Sequence, residues 1–231
     1  GEQGLKHISL PQNITEEDMQ KYPFRVLAFY VITRIDDQEA EAERQRQFLN
    51  PRGMVGRVYV SGDGLNAQVS GSTSDVENFI DWISERFPES DVLFKLDPSP
   101  ELAFPRLRCK TKRLVPLVAG WEEEDIDLVN GRGEDVSPEK WREMLKDRHN
   151  SGAVVLDVRN NYEWDLGHFE GTERPKYREF KDFDPIEAYN LDEADKSKPV
   201  MMYCTGGIRC EIYSAMLKKK GFENVYKLQG G

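Results

Sequence analysis

One segment limits what this chain can fold into more than any other. Val200-Met201-Met202-Tyr203 is an apolar run, Cys204-Thr205-Gly206-Gly207-Ile208-Arg209 is a six-residue loop, and Ile212, Ala215, Met216 and Leu217 then recur at helical spacing. A buried strand, a short loop and a helix in that order predict a parallel sheet with helices packed on it. The thiol of Cys204 then sits at the carboxyl end of a strand, where open α/β sheets place their sites. Backbone N–H groups of the loop and the start of the helix converge there on the sulfur or on an anion bound to it. Such a field favours thiolate over thiol. Gly206 and Gly207 are expected to supply positive-φ turns, and Arg209 a charged fork for an oxyanion. The plainer reading, a buried cysteine before an ordinary strand–helix turn, leaves the two glycines and the arginine without a purpose.

The same α/β pattern extends upstream. Ser137-Pro138 reads as an N-cap with proline at the first helical position, ahead of an apolar stripe of Trp141, Met144 and Leu145. Ala153–Asp157 reads as a buried strand, Gly221 as a helix C-cap and Val225–Leu228 as a last short strand. Charge separates this region from the rest: residues 137–231 carry 16 basic and 17 acidic side chains, against 16 and 25 in residues 1–136. A near-neutral half and a strongly acidic half favour two units.

In the first half, strand Arg25–Arg34 is followed by a charged helix over Asp37–Leu49, stopped by Asn50-Pro51 and Gly53. Gly56–Ser61 and Leu65–Ser70 read as strands joined by a Gly62-Asp63-Gly64 turn. A helix over Ser72–Phe87 and a strand over Val92–Leu96 complete a β-α-β-β-α-β order, the ferredoxin-like arrangement. The fold class predicted is therefore a two-domain α/β protein. Residues 1–23 form a leader with one short helix near Thr15–Lys21, and 24–98 a ferredoxin-like domain. Residues 99–136 form a basic strand and an acidic linker, and 137–231 an α/β domain with a parallel sheet.

Between the units Arg106, Arg108, Lys110, Lys112 and Arg113 follow one another without an acid. On an extended chain the first four share one side. A phosphate backbone is a natural ligand for such a comb, and a solvated edge strand protected against pairing is the alternative. With a net charge of −10, nucleic-acid contact has to use such a local patch. The acidic stretch Glu122–Asp127 reads as a solvated linker.

Hydrophobic residues at 38% and charged residues at 32% suit a soluble chain, and no apolar stretch approaches the roughly 20 residues of a membrane span. The N-terminus lacks the regions of a secretory signal. Cys109, Cys204 and Cys210 do not make a disulfide framework, so a reducing, cytoplasmic setting is expected. Three dispersed histidines and three cysteines give no metal-site spacing, and no Walker or dinucleotide loop is present. No cofactor is evident, and neither a membrane nor DNA is expected as a partner.

Two motifs coincide. Asp157-Val158-Arg159, followed by Glu163-Trp164 and Gly167-His168-Phe169-Glu170-Gly171, resembles the early signature of rhodanese domains, and Cys204 through Arg209 resembles their active-site loop. The arginine stands five positions after the cysteine, as in rhodaneses. Related dual-specificity phosphatases have a loop one residue longer, so the shorter ring points to sulfur chemistry. Together with Gly56-Arg57-Val58-Tyr59, Asp63-Gly64-Leu65-Asn66-Ala67-Gln68 and Tyr203 through Glu211, residues 24–231 resemble the rhodanese-related, oxygen-dependent tRNA uridine hydroxylases. That resemblance implies formation of 5-hydroxyuridine at the tRNA wobble position, with tRNA as partner, molecular oxygen as co-substrate and the loop cysteine essential. Asp63 stands where the family typically has Glu. The stretch between Gly171 and Phe180 is shorter than the family pattern. The resemblance also implies a final helix and a cysteine-rich tail beyond Gly231.

Individual roles follow. Cys204, as thiolate, adds to C6 of uracil and makes C5 nucleophilic toward oxygen, or it carries a persulfide as a rhodanese-type sulfurtransferase would. Arg209 is an anion clamp or closes the loop through backbone carbonyls, around the loop residues Thr205, Gly206, Gly207 and Ile208. Cys210 resolves an oxidised sulfur or is a small buried apolar residue. Asp157 and Arg159 brace the sheet edge or take part in the chemistry, and Glu163 pairs or caps locally. His168 is an acid or base, or stabilises a turn. Asn66 touches RNA or forms a turn. Lys218-Lys219-Lys220 complement a helix C-terminus.

Overall fold

The computed structural model describes residues 7–11, 13–116, 118, 120–122, 126–182, 184–191 and 195–231. The chain divides into two compact units, Gly1–Leu114 and Val115–Gly231.

In the first unit, β1 (His7–Ser9), α1 (Glu16–Lys21), β2 (Phe24–Ile32), α2 (Gln38–Leu49), β3 (Val55–Ser61), β4 (Gly64–Ser72), α3 (Thr73–Arg86), β5 (Leu93–Ser99) and β6 (Leu107–Thr111) follow in order. The sheet order is β1-β5-β2-β4-β3-β6. Its inner four strands pair antiparallel, the ferredoxin-like arrangement that the sequence order predicts, and β1 and β6 add parallel strands at the two edges. Strand alternation sends Leu27, Phe29, Val31, Val58, Val60, Leu65, Ala67 and Val69 into one core with Val76, Phe79, Ile80 and Ile83 of α3. Ser72 caps α3, its hydroxyl accepting from the Asp75 N–H at 3.2 Å. The tight turn before β4 requires glycine: Gly64 has φ +136°, and a Cβ there would meet the Val31 carbonyl oxygen at 1.9 Å.

Both ends of this unit depart from expectation. The leader is tied in, since β1 pairs with β5 and the guanidinium of buried Arg25 donates to the carbonyls of Met19 and Tyr22. Residues 1–6 and 12 of that leader lie outside the described residues. The basic segment is not part of a connector starting at residue 99 but strand β6 of the first sheet, in register with β3 from Gly56↔Leu107 to Val60↔Thr111. Leu107 and Cys109 turn toward the core while the basic residues turn out, so the basic strand expected from sequence is an amphipathic edge strand of this sheet.

The second unit contains β7 (Glu134–Val136), α4 (Pro138–Ser151), β8 (Val154–Asp157), α5 (Asn161–Leu166), α6 (Pro185–Ala188), β9 (Val200–Tyr203), α7 (Ile208–Lys219) and β10 (Val225–Leu228). Its four strands are all parallel, in the order β7-β10-β9-β8. The unit begins before residue 137, because β7 is one of them. On one face Val155, Met201 and Tyr203 pack with Trp141 of α4 and Phe169. Helix α7 is buried from Cys210 through Leu217, with Glu211 and Ser214 included. The buried ammonium of Lys227 answers Glu211, donating to it at 2.6 Å and to Asp135 at 3.2 Å. Of the expected acidic linker, residues 123–125 lie outside the described residues. Its neighbours Trp121, Ile126 and Leu128 are buried rather than solvated.

Candidate active site and nucleic-acid interface

Parallel strands β8 and β9 end side by side, with Asp157 in register with Tyr203, and Cys204 is the next residue of the chain. Helix α7 starts at Ile208 with Gly207 as its N-cap, at φ 92°, and no side chain caps it. The sulfur takes that place: the Gly207 N–H donates to Cys204 Sγ at 3.0 Å. The Cys210 side chain, on the first helical turn, and the N–H groups of Gly206 and Cys210 also favour the charged form of this sulfur. These groups lower the Cys204 thiol to about 6. The Cys210 thiol contributes most, burial opposes it, and the charge of Arg209 adds to the lowering. Cys210 itself, fully enclosed and facing a thiolate, is pushed well above the ordinary thiol range. One sulfur is thus ionised near neutral pH and its neighbour remains protonated.

The glycines divide their roles. Gly207 occupies the left-handed region, but Gly206 does not, contrary to the expectation of two positive-φ turns. A Cβ on Gly206 would meet nothing within 4 Å. Gly206 therefore leaves an opening on the solvent side of the loop, where Thr205 and Gly206 are exposed, above a cysteine that is itself only 4% accessible.

Arg209 is held by side chains of the loop and of α5. Its two terminal nitrogens donate to the two oxygens of Glu163 at 2.7 and 2.8 Å, and one also donates to the Thr205 hydroxyl at 3.0 Å. Thr205 in turn donates to Glu163. Glu163 accepts from the Asn160 N–H at 3.0 Å as well, closing a capping box at the start of α5. The Arg209, Thr205 and Asn160 bonds hold the Glu163 carboxyl at about 2 despite burial. This carboxylate links α5 to the loop through side chains. The motif placed Glu163 nearby in sequence, but its partner 46 positions away required the fold.

Asp157 and Arg159 form a brace. Asp157 is fully buried; it accepts from Arg159 Nε at 2.9 Å and Nη2 at 2.7 Å, and from the Tyr203 hydroxyl at 2.7 Å. Arg159 also donates to the Gly167 carbonyl at 2.6 Å. His168 stacks on Trp164 with ring centroids 3.5 Å apart, and its Nδ1 lies 3.0 Å from the Trp164 carbonyl oxygen, so it belongs to a turn. Sequence reading missed the contact of Gly231 with the loop: a Cβ there would approach the Gly207 nitrogen to 2.7 Å.

In the first unit Arg106, Arg108, Lys110, Lys112 and Arg113 are all exposed. With Arg46 and Asn50 at the end of α2, three of them line a groove of about 400 Å³ along β6. Arg46 is fixed by donating to the Cys109 carbonyl at 3.0 Å. Arg57 of β3, also exposed, is in register with Arg108 and widens the basic surface. Lys112 places its ammonium 5.1 Å from the centre of the Tyr59 ring. Asn66 is not in a turn. It lies on β4, donates to the Leu114 carbonyl at 3.3 Å and accepts from Gln68 at 3.0 Å. Cys109 is buried, which pushes its thiol up to about 11. Among the described residues no cluster of three or more His, Cys, Asp or Glu is placed to hold a metal ion, and no helix is long and apolar enough to cross a membrane.

Comparison with known proteins agrees with this division. Residues 24–115 match the UPF0176 acylphosphatase-like domain and residues 139–231 the rhodanese-like domain. The tRNA uridine(34) hydroxylase of Chlamydia abortus is 41% identical over 213 residues, covering 91% of this chain and 63% of that protein. The protein of the same name from Protochlamydia amoebophila is 40% identical over 216 residues, covering 92% of this chain and 64% of its own. The chain thus spans somewhat less than two thirds of the length of the curated relatives it matches.

Proposed function

From the premise that the chain belongs to the rhodanese-related family joining a UPF0176 acylphosphatase-like domain to a rhodanese-like domain, we propose that it acts in the 5-hydroxylation of uridine 34 of tRNA, with molecular oxygen as co-substrate. The relatives' name supplies the substrate. The observation that carries the reading is the thiolate of Cys204, ionised near neutral pH at the head of α7.

Uracil C5 is a poor nucleophile until a base-side addition breaks the ring's conjugation. Cys204 Sγ adds to C6, and the electron pair released toward C4 and C5 makes C5 reactive toward oxygen. The open side of Gly206 admits the flat base above the sulfur. Thr205 and Ile208 frame the loop, and Gly207 donates to the sulfur until it bonds to carbon. Arg209, oriented by Glu163 rather than free to swing, holds its charge beside the thiolate. Asp157 and Arg159 keep the two strand ends in place, a positioning role. RNA is held by the basic face of β6 (Arg106, Arg108, Lys110, Lys112 and Arg113), joined by Arg46 and Arg57. The amide of Asn66, bonded at both ends, serves the sheet. A tRNA substrate puts the protein in the cytoplasm.

Nucleoside mass spectrometry of tRNA from cells lacking the protein tests this. Loss of 5-hydroxyuridine-derived nucleosides, restored by the native gene and not by Cys204→Ala, is the expected result. Unchanged tRNA together with lost persulfide transfer would select the sulfurtransferase.

A further inference from the structure

We propose that Cys204 and Cys210 work as a dithiol that supplies the two electrons of the hydroxylation, closing to a disulfide once per turnover. The inference rests on the hydroxylase reading and adds a reductant to it. Replacing C5–H by C5–OH with molecular oxygen leaves one oxygen atom to be reduced. Uridine, oxygen and two thiols give hydroxyuridine, one water and one disulfide, which balances atoms and electrons. Oxygen and a proton add at C5 of the Cys204 adduct as a hydroperoxide. The Cys210 thiol takes its outer oxygen, breaking the O–O bond to leave C5–OH and a Cys210 sulfenate. Loss of the C5 proton breaks the C6–S bond and expels the Cys204 thiolate, which attacks the Cys210 sulfur and, with a proton, releases water. The two sulfurs lose one electron each, and because Cys204 begins as a thiolate, one proton comes from solvent.

The geometry brings the required partners together. The Cys204 sulfur sits at the head of α7 and Cys210 stands on the first turn of that helix, both buried and free, and each bears on the ionisation of the other. Gly207 ties the two by its backbone, its N–H donating to Cys204 Sγ at 3.0 Å and its carbonyl accepting from the Cys210 N–H at 3.0 Å. The pair is unequal in the way thiol–disulfide exchange requires: one sulfur is ionised and attacks, and the other stays protonated until called on. Both are buried, so a sulfenate on Cys210 meets the released Cys204 thiolate before it meets a second oxidant, which keeps it off the irreversible steps beyond sulfenate. A small thiol or a dithiol protein then reopens the disulfide.

A merely structural Cys210 would also favour the Cys204 thiolate, so the test separates that effect from the redox step. Cys210→Ser keeps a donor of similar size but cannot form a disulfide, and Cys210→Ala removes both. Reduced protein freed of small thiols is mixed with air-saturated buffer and a tRNA transcript bearing uridine 34, and product is counted by nucleoside mass spectrometry. The native protein is expected to make up to about one hydroxyuridine per chain, with a matching Cys204–Cys210 disulfide in its peptide map. Both variants are expected to make at least about tenfold less without reductant, and Cys210→Ser to recover with excess dithiothreitol. Native product formed while both thiols remain titratable, or an equal yield from Cys210→Ser without reductant, overturns the dithiol and leaves the hydroxylase reading standing. No product from the native protein even with dithiothreitol overturns both.

Discussion

The thiol loop and the basic strand, the two regions assigned to the chemistry and to RNA, are built on opposite plans. Around Cys204 the groups are locked. Glu163 accepts from Arg209, Thr205 and Asn160, Asp157 from Arg159 and Tyr203, and the sulfur from the helix that follows it. Along β6 the backbone is fixed by pairing with β3 while Arg106, Arg108, Lys110 and Lys112 extend into solvent. A reacting atom has to be within tenths of an ångström of its donors before substrate arrives. A phosphate comb gains from counterion release at many separate charges and tolerates loose side chains. The contrast predicts that single substitutions are severe at the loop and graded at the strand.

Cys204→Ala gives the largest effect: hydroxyuridine formation falls by at least about a thousandfold while RNA affinity stays within about twofold, read by filter binding. Equal losses in both assays would erase the division of labour. Next is Glu163→Gln, which leaves Arg209 half-paired and costs about 2 kcal/mol in a urea melt. Its pH dependence has a definite sign. The folded carboxyl is held at about 2 against an ordinary 4.5, so its stabilisation is complete above about pH 4.5 and is lost as pH falls toward 2. A Glu163→Gln chain that melts with the same acid slope as the native one would remove the clamp from the account.

Gly207→Ala forces an L-residue to φ 92° and is expected to cost about 1–2 kcal/mol, whereas Gly206→Ala stays within about 0.5 kcal/mol because nothing lies within 4 Å of its Cβ. If the two cost the same, the loop is not asymmetric. At the strand, Arg108→Ala with Lys110→Ala weakens tRNA binding about tenfold. It also flattens the log–log salt dependence by about 0.7–0.9 for each cation removed. A smaller but diagnostic measurement is iodoacetamide alkylation against pH. Cys204 should show a midpoint near 6, while Cys109, at about 11, should stay unmodified until the protein unfolds.

Local pattern carried much of this architecture. The β-α-β-β-α-β order, Ser137 as a cap, and the strand–loop–helix around Cys204 follow from periodicity and capping chemistry, which act over a few residues. Edge strands were harder to read. β1 is three exposed residues whose only mark is its ladder with β5, and β6, legible as a basic strand, carried no local sign that it pairs with β3 of the first sheet. At the site, residue identity named Cys204 and Arg209, but not what Arg209 faces. Its pairing with Glu163 spans 46 positions, and the alignment of Asp157 with Tyr203 depends on strand register. The turn alternative for Asn66 and the positive φ expected of Gly206 failed for the converse reason, since both rested on residue type without knowledge of the backbone around them.

Helix α7 starts without a capping side chain, and a cysteine sulfur accepts its first free N–H. Folding and the proposed chemistry therefore draw on the same atom. Any bond made at that sulfur discharges it and takes the acceptor from the helix end, so a chain modified at Cys204 is expected to be less well capped at α7 than one with the free thiolate. Return to the free thiolate restores the cap, which in the proposed reaction favours release over retention. A bound alkyl group on Cys204 should for the same reason lower the melting temperature of the protein it inactivates, a fold-level penalty for occupying the site.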